Sequence, residues 1–175
     1  MEDGLIHLVD FIGAMRVARN GDTVVATVHE AGHGVKSVYD VRARTPTGTF
    51  ELSTDGFAMS YRPADGQLLS SEGGILSRPA YRPHFPMTPV VLAMFSPLDL
   101  PIWGGPNDNN RVTSATSDGP GLVRLEFGPR DEPDDAELKG YAFVDLDLGV
   151  VLEMRYLGND HLTSDIRTVP DMPSP

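Results

Sequence analysis

Five consecutive residues, His29, Glu30, Ala31, Gly32 and His33, satisfy the H-E-x-x-H pattern of zinc peptidases. In those enzymes a helix brings two imidazoles to one face to bind Zn²⁺, and the glutamate activates the metal-bound water. That chemistry needs a helical backbone, and the local sequence argues against one. Thr23, Val24, Val25, Thr27 and Val28 are β-branched and favour a strand, while Gly32 and Gly34 would each cost about 1 kcal/mol in a helix interior. The extended metzincin form would need Gly and His where Lys36 and Tyr39 stand, and Glu51, the nearest further carboxylate at a suitable spacing, falls in a strand-like segment. The expectation is therefore a hairpin turn with no metal site. A zinc metallopeptidase stays as the enzymatic alternative.

Other routes to catalysis find little material. His7, His84 and His161 are scattered, each expected to be structural or exposed, and no G-x-S-x-G elbow presents a serine. Gly48, Gly73, Gly74, Gly104 and Gly105 form neither a G-x-G-x-x-G nor a Walker loop, so they read as turns. With no cysteine, thiol catalysis, Fe–S clusters and cysteine zinc sites are excluded. The sequence therefore predicts no catalytic residue and no cofactor. A net charge of −11 argues against nucleic acid and against anionic membrane surfaces as partners. The acidic run at Asp131, Glu132, Asp134, Asp135 and Glu137 lacks the spaced pattern of a calcium loop and reads as solvated. No run of 18 apolar residues predicts stable membrane insertion. The expected location is cytoplasmic, or exported with a signal segment that precedes this sequence.

The elements that must position any site are mostly strands. Asp3 caps a helix expected over 3–19, with Leu5, Leu8, Val9, Ile12 and Met15 on its apolar side and a stop at Asn20-Gly21. Thr23–Glu30 and Val35–Thr45 form a hairpin around Ala31–Gly34; Thr49–Ser53 and Phe57–Arg62 form a second, and Pro63–Gly66 turns the chain into Gln67–Ser70. The stretch from Ser70 to Pro86 is Gly-, Ser- and Pro-rich and reads as an ordered excursion. Thr88 and Pro89 then open a short apolar helix expected over 88–96. Arg111–Thr116 pairs with Leu122–Phe127, and Leu138–Val169 reads as a three-strand meander. In its middle strand Val150, Leu152, Met154 and Tyr156 share the buried face, opposite Val151, Glu153 and Arg155.

The expected fold is α+β: one strongly curved antiparallel sheet, a half-barrel of about nine to eleven strands, with the N-terminal helix and the short middle helix on its concave face. The segment 88–103 carries more apolar side chains than one side of a short helix needs. Leu92, Met94, Phe95, Leu98 and Trp103 are thus the candidate ligand-binding residues, lining a concavity that takes a lipid or another hydrophobic small molecule. An interaction or scaffold domain whose core is filled by its own side chains is the other non-enzymatic reading; the sequence names no protein partner.

Phe57–Pro63, Met94–Leu100 and Phe143–Tyr156, together with the order of elements, resemble the LolA/LolB and LppX group of bacterial lipoprotein carriers, including the actinobacterial LolA-like domains. The resemblance implies that residues 1–175 form one LolA-like half-barrel domain that binds a lipid or acyl chain and is not an enzyme. The lipobox cysteine of lipoproteins has no counterpart here.

Overall fold

The computed structural model of the protein describes residues 2–17, 23–44, 48–62, 67–70, 75–77, 90–105, 108, 110–130 and 139–170, with 2–7, 16–17, 62, 67–70 and 75–77 described as backbone. The capping and stop signals at Thr88, Pro89, Asn20 and Gly21, the Pro63–Gly66 turn, most of the 70–86 excursion and the acidic run at 131–137 lie outside these residues.

Helix α1, Glu2–Val17, precedes six strands: β1 Thr23–Gly32, β2 Val35–Arg44, β3 Thr49–Thr54, β4 Phe57–Arg62, β5 Gln67–Ser70 and β6 Ile75–Ser77. A short helix α2, Val90–Ala93, and a 3-10 turn, Pro97–Asp99, follow. Five more strands follow among the described residues: β7 Asn110–Ser117, β8 Leu122–Pro129, β9 Gly140–Asp145, β10 Val150–Tyr156 and β11 Asn159–Val169. All eleven belong to one antiparallel sheet in the order β6-β5-β4-β3-β2-β1-β11-β10-β9-β8-β7. The sheet is open and curved, a half-barrel. β1 to β6 wind outward in one direction and β7 to β11 wind back from the other edge, so the connection carrying α2 must travel from one edge of the sheet to the other. The described part of that connection, residues 90–105, lies over the concave face, which presents Val28, Val41, Phe50, Leu125, Val144 and Met154, all buried.

Helix α1 uses a different seam from the expected one. Val9 is 61% exposed and Phe11 is fully buried, so the inward stripe is Leu8, Phe11, Ile12 and Met15, again at i, i+3, i+4, i+7 but turned toward the aromatic ring of Trp103. β6 was not expected; it occupies Ile75–Ser77, which ends before the first proline of the excursion. α2 also ends sooner than the 88–96 helix expected, because a bond from Phe95 N–H to Leu92 O tightens its end and Pro97 starts a new turn.

The middle strand of the last meander changes phase. The β9–β10 register shifts between Val151 and Glu153, a bulge that makes Leu152 the extra residue. Val151 is consequently buried with Val150, Met154 and Tyr156, whereas Leu152 is only half-buried. The same region parts from β11: the β10–β11 ladder runs only from Tyr156–Asn159 to Glu153–Leu162. Beyond it, Val151 N–H donates to Met94 O at 2.8 Å, and Val151 O accepts from the Thr163 hydroxyl at 2.7 Å. The end of α2 is therefore plugged into a gap in the sheet. Replacing Thr163 by Val leaves the buried Val151 carbonyl without that donor, and we expect a loss of about 1–3 kcal/mol of stability in urea denaturation with an unchanged m-value.

Candidate functional site

The structure brings the five expected ligand-binding residues together in one layer over the concave face. Leu92, Met94 and Phe95 are fully buried within the core, while Leu98 and Trp103 are half-buried against it. Three things fix the layer. Met94 O is tied to β10 as above. The Trp103 indole N–H donates to Pro97 O at 2.9 Å and its ring stacks on Phe11 with centroids 5.7 Å apart, joining α1 to the layer. Trp103 also forms a β-bridge with Arg111, the second residue of β7. Grooves of about 500, 350 and 630 Å³ are formed by described residues elsewhere on the sheet, and none of the five lines them.

The H-E-x-x-H residues lie on a hairpin whose turn comes two residues later than expected: β1 continues to Gly32, and His33-Gly34 is the whole turn. Both turn residues have positive φ, 48° and 80°, as a type I′ turn requires. Gly32 serves close approach, since a Cβ there would run into Asn159. His29 and Glu30 point to opposite faces of the sheet. On the outer face, His29 Nε2 shares a 3.1 Å hydrogen bond with the Ser164 hydroxyl. At the tip, His33 Nε2 meets Leu157 O at 3.3 Å, where the β10–β11 hairpin turns through Leu157-Gly158, also at positive φ. Among the described residues, no cluster of three or more His, Asp and Glu is placed to hold a metal ion.

Glu30 instead belongs to a polar cluster on the inner face that was not anticipated. Its carboxylate accepts from the Tyr39 hydroxyl at 3.0 Å and from the Asn159 amide at 3.4 Å, and lies 3.5 Å from His161 Nε2. His161 is 2% exposed. Strand alternation is the signal that carries this grouping: Val28 and Glu30 share a face, as do Thr163 and His161, and Val41 and Tyr39. Burial pushes the His161 imidazole below its ordinary value of 6.5, against the opposing pull of Glu30. Burial likewise leads the rise of the Tyr39 phenol, with Glu30 adding to it and the Ser37 hydroxyl opposing.

No family model matches the sequence, and no curated protein matches it. Its likeness is one of fold. The half-barrel superposes on MucB. One crystal structure of MucB gives a TM-score of 0.51 at 14% identity, covering 94% of this chain and 60% of MucB. The MucA/MucB complex of Pseudomonas aeruginosa gives 0.52 at 15% identity, covering 94% of this chain and 58% of the matched one. The chain thus spans about three fifths of the length of these proteins.

Two outcomes follow from the site. A histidine held neutral by burial contributes its stability in full above its unfolded pKa. As pH falls below about 6.5 the unfolded chain takes up the proton more readily, so unfolding free energy should decline through that window. His161→Gln should flatten the decline in denaturation curves measured from about pH 7.5 to 5. Elemental analysis of purified protein should show no stoichiometric zinc, and His33→Ala should leave metal content unchanged.

Proposed function

We propose that this protein is a non-enzymatic binder of an apolar ligand, a lipid or acyl chain, held between the concave face of the sheet and the segment that carries Leu92, Met94, Phe95, Leu98 and Trp103. The observation behind this reading is the nature of that segment. It covers the inner face with side chains of the ligand's own chemistry, it is built from one short helix and a 3-10 turn, and it joins the sheet through backbone at Met94 and Trp103. Such a layer can be exchanged for an acyl chain with little change in the apolar area kept from water. The LolA-like fold supports the same reading. A metallopeptidase has no support, because the motif's glutamate and its first histidine are on opposite sides of the sheet.

A second reading takes its support from MucB, which is seen in complex with MucA. In that case the concave face stays filled by the protein's own side chains, and the surface meets a protein partner.

Trp103 separates the two. It is the single tryptophan of the chain and stacks on Phe11, so displacement of the layer must change its surroundings. On the ligand reading, titration with fatty acids or phospholipids gives a saturable shift in Trp103 emission, and native mass spectrometry of protein purified from cells shows co-purified lipid. Leu92→Glu, which sets a charge in the layer, abolishes both while circular dichroism retains the strand signal. A flat titration together with ligand-free protein leaves the protein-partner reading.

A further inference from the structure

The polar cluster around Glu30 stands where the apolar floor of the concave face ends. His161 lies between Met154, a core residue of β10, and Glu30 of β1. Thr163, which holds the Val151 carbonyl beside the Met94 anchor, is two residues, about 7 Å, further along the same face of β11. The Glu30 side chain is 26% exposed, and Val35, on the same face at the strand tip, is 64% exposed, so this end of the curve opens to solvent. Among the described residues, what the cluster lacks is a cation. The lysine and arginine of these strand ends, Lys36 and Arg155, belong to the outer row Lys36, Ala31, Asp160, Arg155, in which Arg155 is already paired with Asp160 at 3.6 Å. Burial pushes His161 toward its neutral form. The positions left open are acceptors. Glu30 Oε2 takes the Tyr39 hydroxyl, and Oε1 takes the Asn159 amide at 3.4 Å and faces His161 Nε2 at 3.5 Å, whereas a carboxylate has about four such positions. Tyr39 gives its proton to Glu30, so its oxygen accepts, and the Ser37 hydroxyl lies against it.

We propose that this cluster receives the polar end of the concave-face ligand and that this end is a primary ammonium group, so that the ligand class is an amphiphile with an apolar chain and an amine head. The head-group site presupposes the apolar-ligand reading given above. An ammonium brings a positive charge and three donors, and Glu30, Tyr39 and Ser37 set acceptors on one face of one strand pair. A charge-assisted bond to a carboxylate held largely out of solvent is stronger than the same bond at an exposed surface. A fatty-acid carboxylate brings the reverse: acceptors against acceptors, and a second negative charge beside Glu30 with no cation in the cluster to offset it. The chain of such an amphiphile then runs from Glu30 past Val28 and Thr163 onto the floor that the 90–103 segment covers, following the grading of the inner face from polar to apolar.

Trp103 emission, titrated at about pH 8 with dodecylamine and with dodecanoate, compares two probes of equal chain and opposite head charge. Dodecylamine is expected to bind about tenfold more tightly or better. In Glu30→Gln that ratio should fall by about fivefold or more, whereas Glu51→Gln, which removes an exposed charge from the outer face of β3, should leave it unchanged. Glu30→Gln keeps the size of the side chain and an acceptor for Tyr39. Should it fail to fold, Tyr39→Phe carries the test, weakening dodecylamine by about threefold or more while dodecanoate gains nothing. Saturable binding of both probes, with a ratio that neither Glu30→Gln nor Tyr39→Phe lowers, overturns the head-group site and leaves the apolar-ligand reading standing. A ratio that Glu51→Gln lowers as much as Glu30→Gln also overturns it, because net charge then accounts for the preference. No change in emission with either probe overturns both.

Discussion

The chain has to pass once from the outermost strand of one half of its sheet to the outermost strand of the other, and that passage governs the rest of the molecule. Eleven antiparallel strands in a row make one wide apolar face. The described part of the connection from β6 to β7, residues 90–105, lies over it, so its apolar residues become core. Hence Leu92, Met94 and Phe95 follow one another with little polar relief, each contributing roughly 1.5–3 kcal/mol by leaving water. Crossing segments also carry backbone polar groups into a place without solvent, where each needs a partner. The parting of β10 from β11 meets part of that need: it frees Val151 N–H to donate to Met94 O, and Thr163 supplies the hydroxyl that Val151 O would otherwise lack.

Polarity on the inner face is graded along the strands rather than uniform. Moving toward the hairpin tips, Val28 gives way to Glu30, Val41 to Tyr39 and then Ser37, and Thr163 to His161. Glu30 organises this end by accepting from Tyr39 and Asn159 and facing His161, so that a carboxylate is set inside the curve without being isolated. The arrangement holds three strands, β1, β2 and β11, by side chains beyond the reach of the apolar floor. It also explains how β2 can extend past β3 and keep its course with one neighbour: Tyr39 is anchored from within.

The period-2 patterns and the Gly/Asn/Asp turns were enough to read nearly every strand, because a sheet with one buried face writes its alternation directly into the sequence. What escaped was phase. A bulge adds one residue and inverts every later side chain, and nothing in the run Val150 to Tyr156 distinguishes Val151 from Leu152 as the inward residue; only the pairing with Val144 on one side and the missing β11 partner on the other decide it. The helix seam failed for a related reason. Phe11 and Val9 are both apolar, and the choice between them is made by Trp103, which lies over 90 residues away in the chain. The five residues expected over the concave face were legible as a group through composition. The Glu30–Tyr39–His161–Asn159 cluster was not, since it joins three strands whose registers cannot be read from any one of them.

The same dependence on backbone accounts for the metal motif. In a helix, residues four apart rise by about 6 Å and return to the same face, so two imidazoles converge on one ion and the intervening glutamate stands beside it. In a strand, four residues span about 13 Å and adjacent side chains alternate between faces. His29 and Glu30 are adjacent, so one is outside the curve and the other inside, and His33 is carried past both into the turn. Zinc needs ligand atoms about 2 Å from a common centre. Separations several times that, with a sheet between two of the three groups, cannot be closed by rotamer changes. The letters of the motif are each used by the hairpin instead: Glu30 for the inner cluster, Gly32 for the close pass of Asn159, and His33 with Gly34 for a turn that only residues tolerant of positive φ can make.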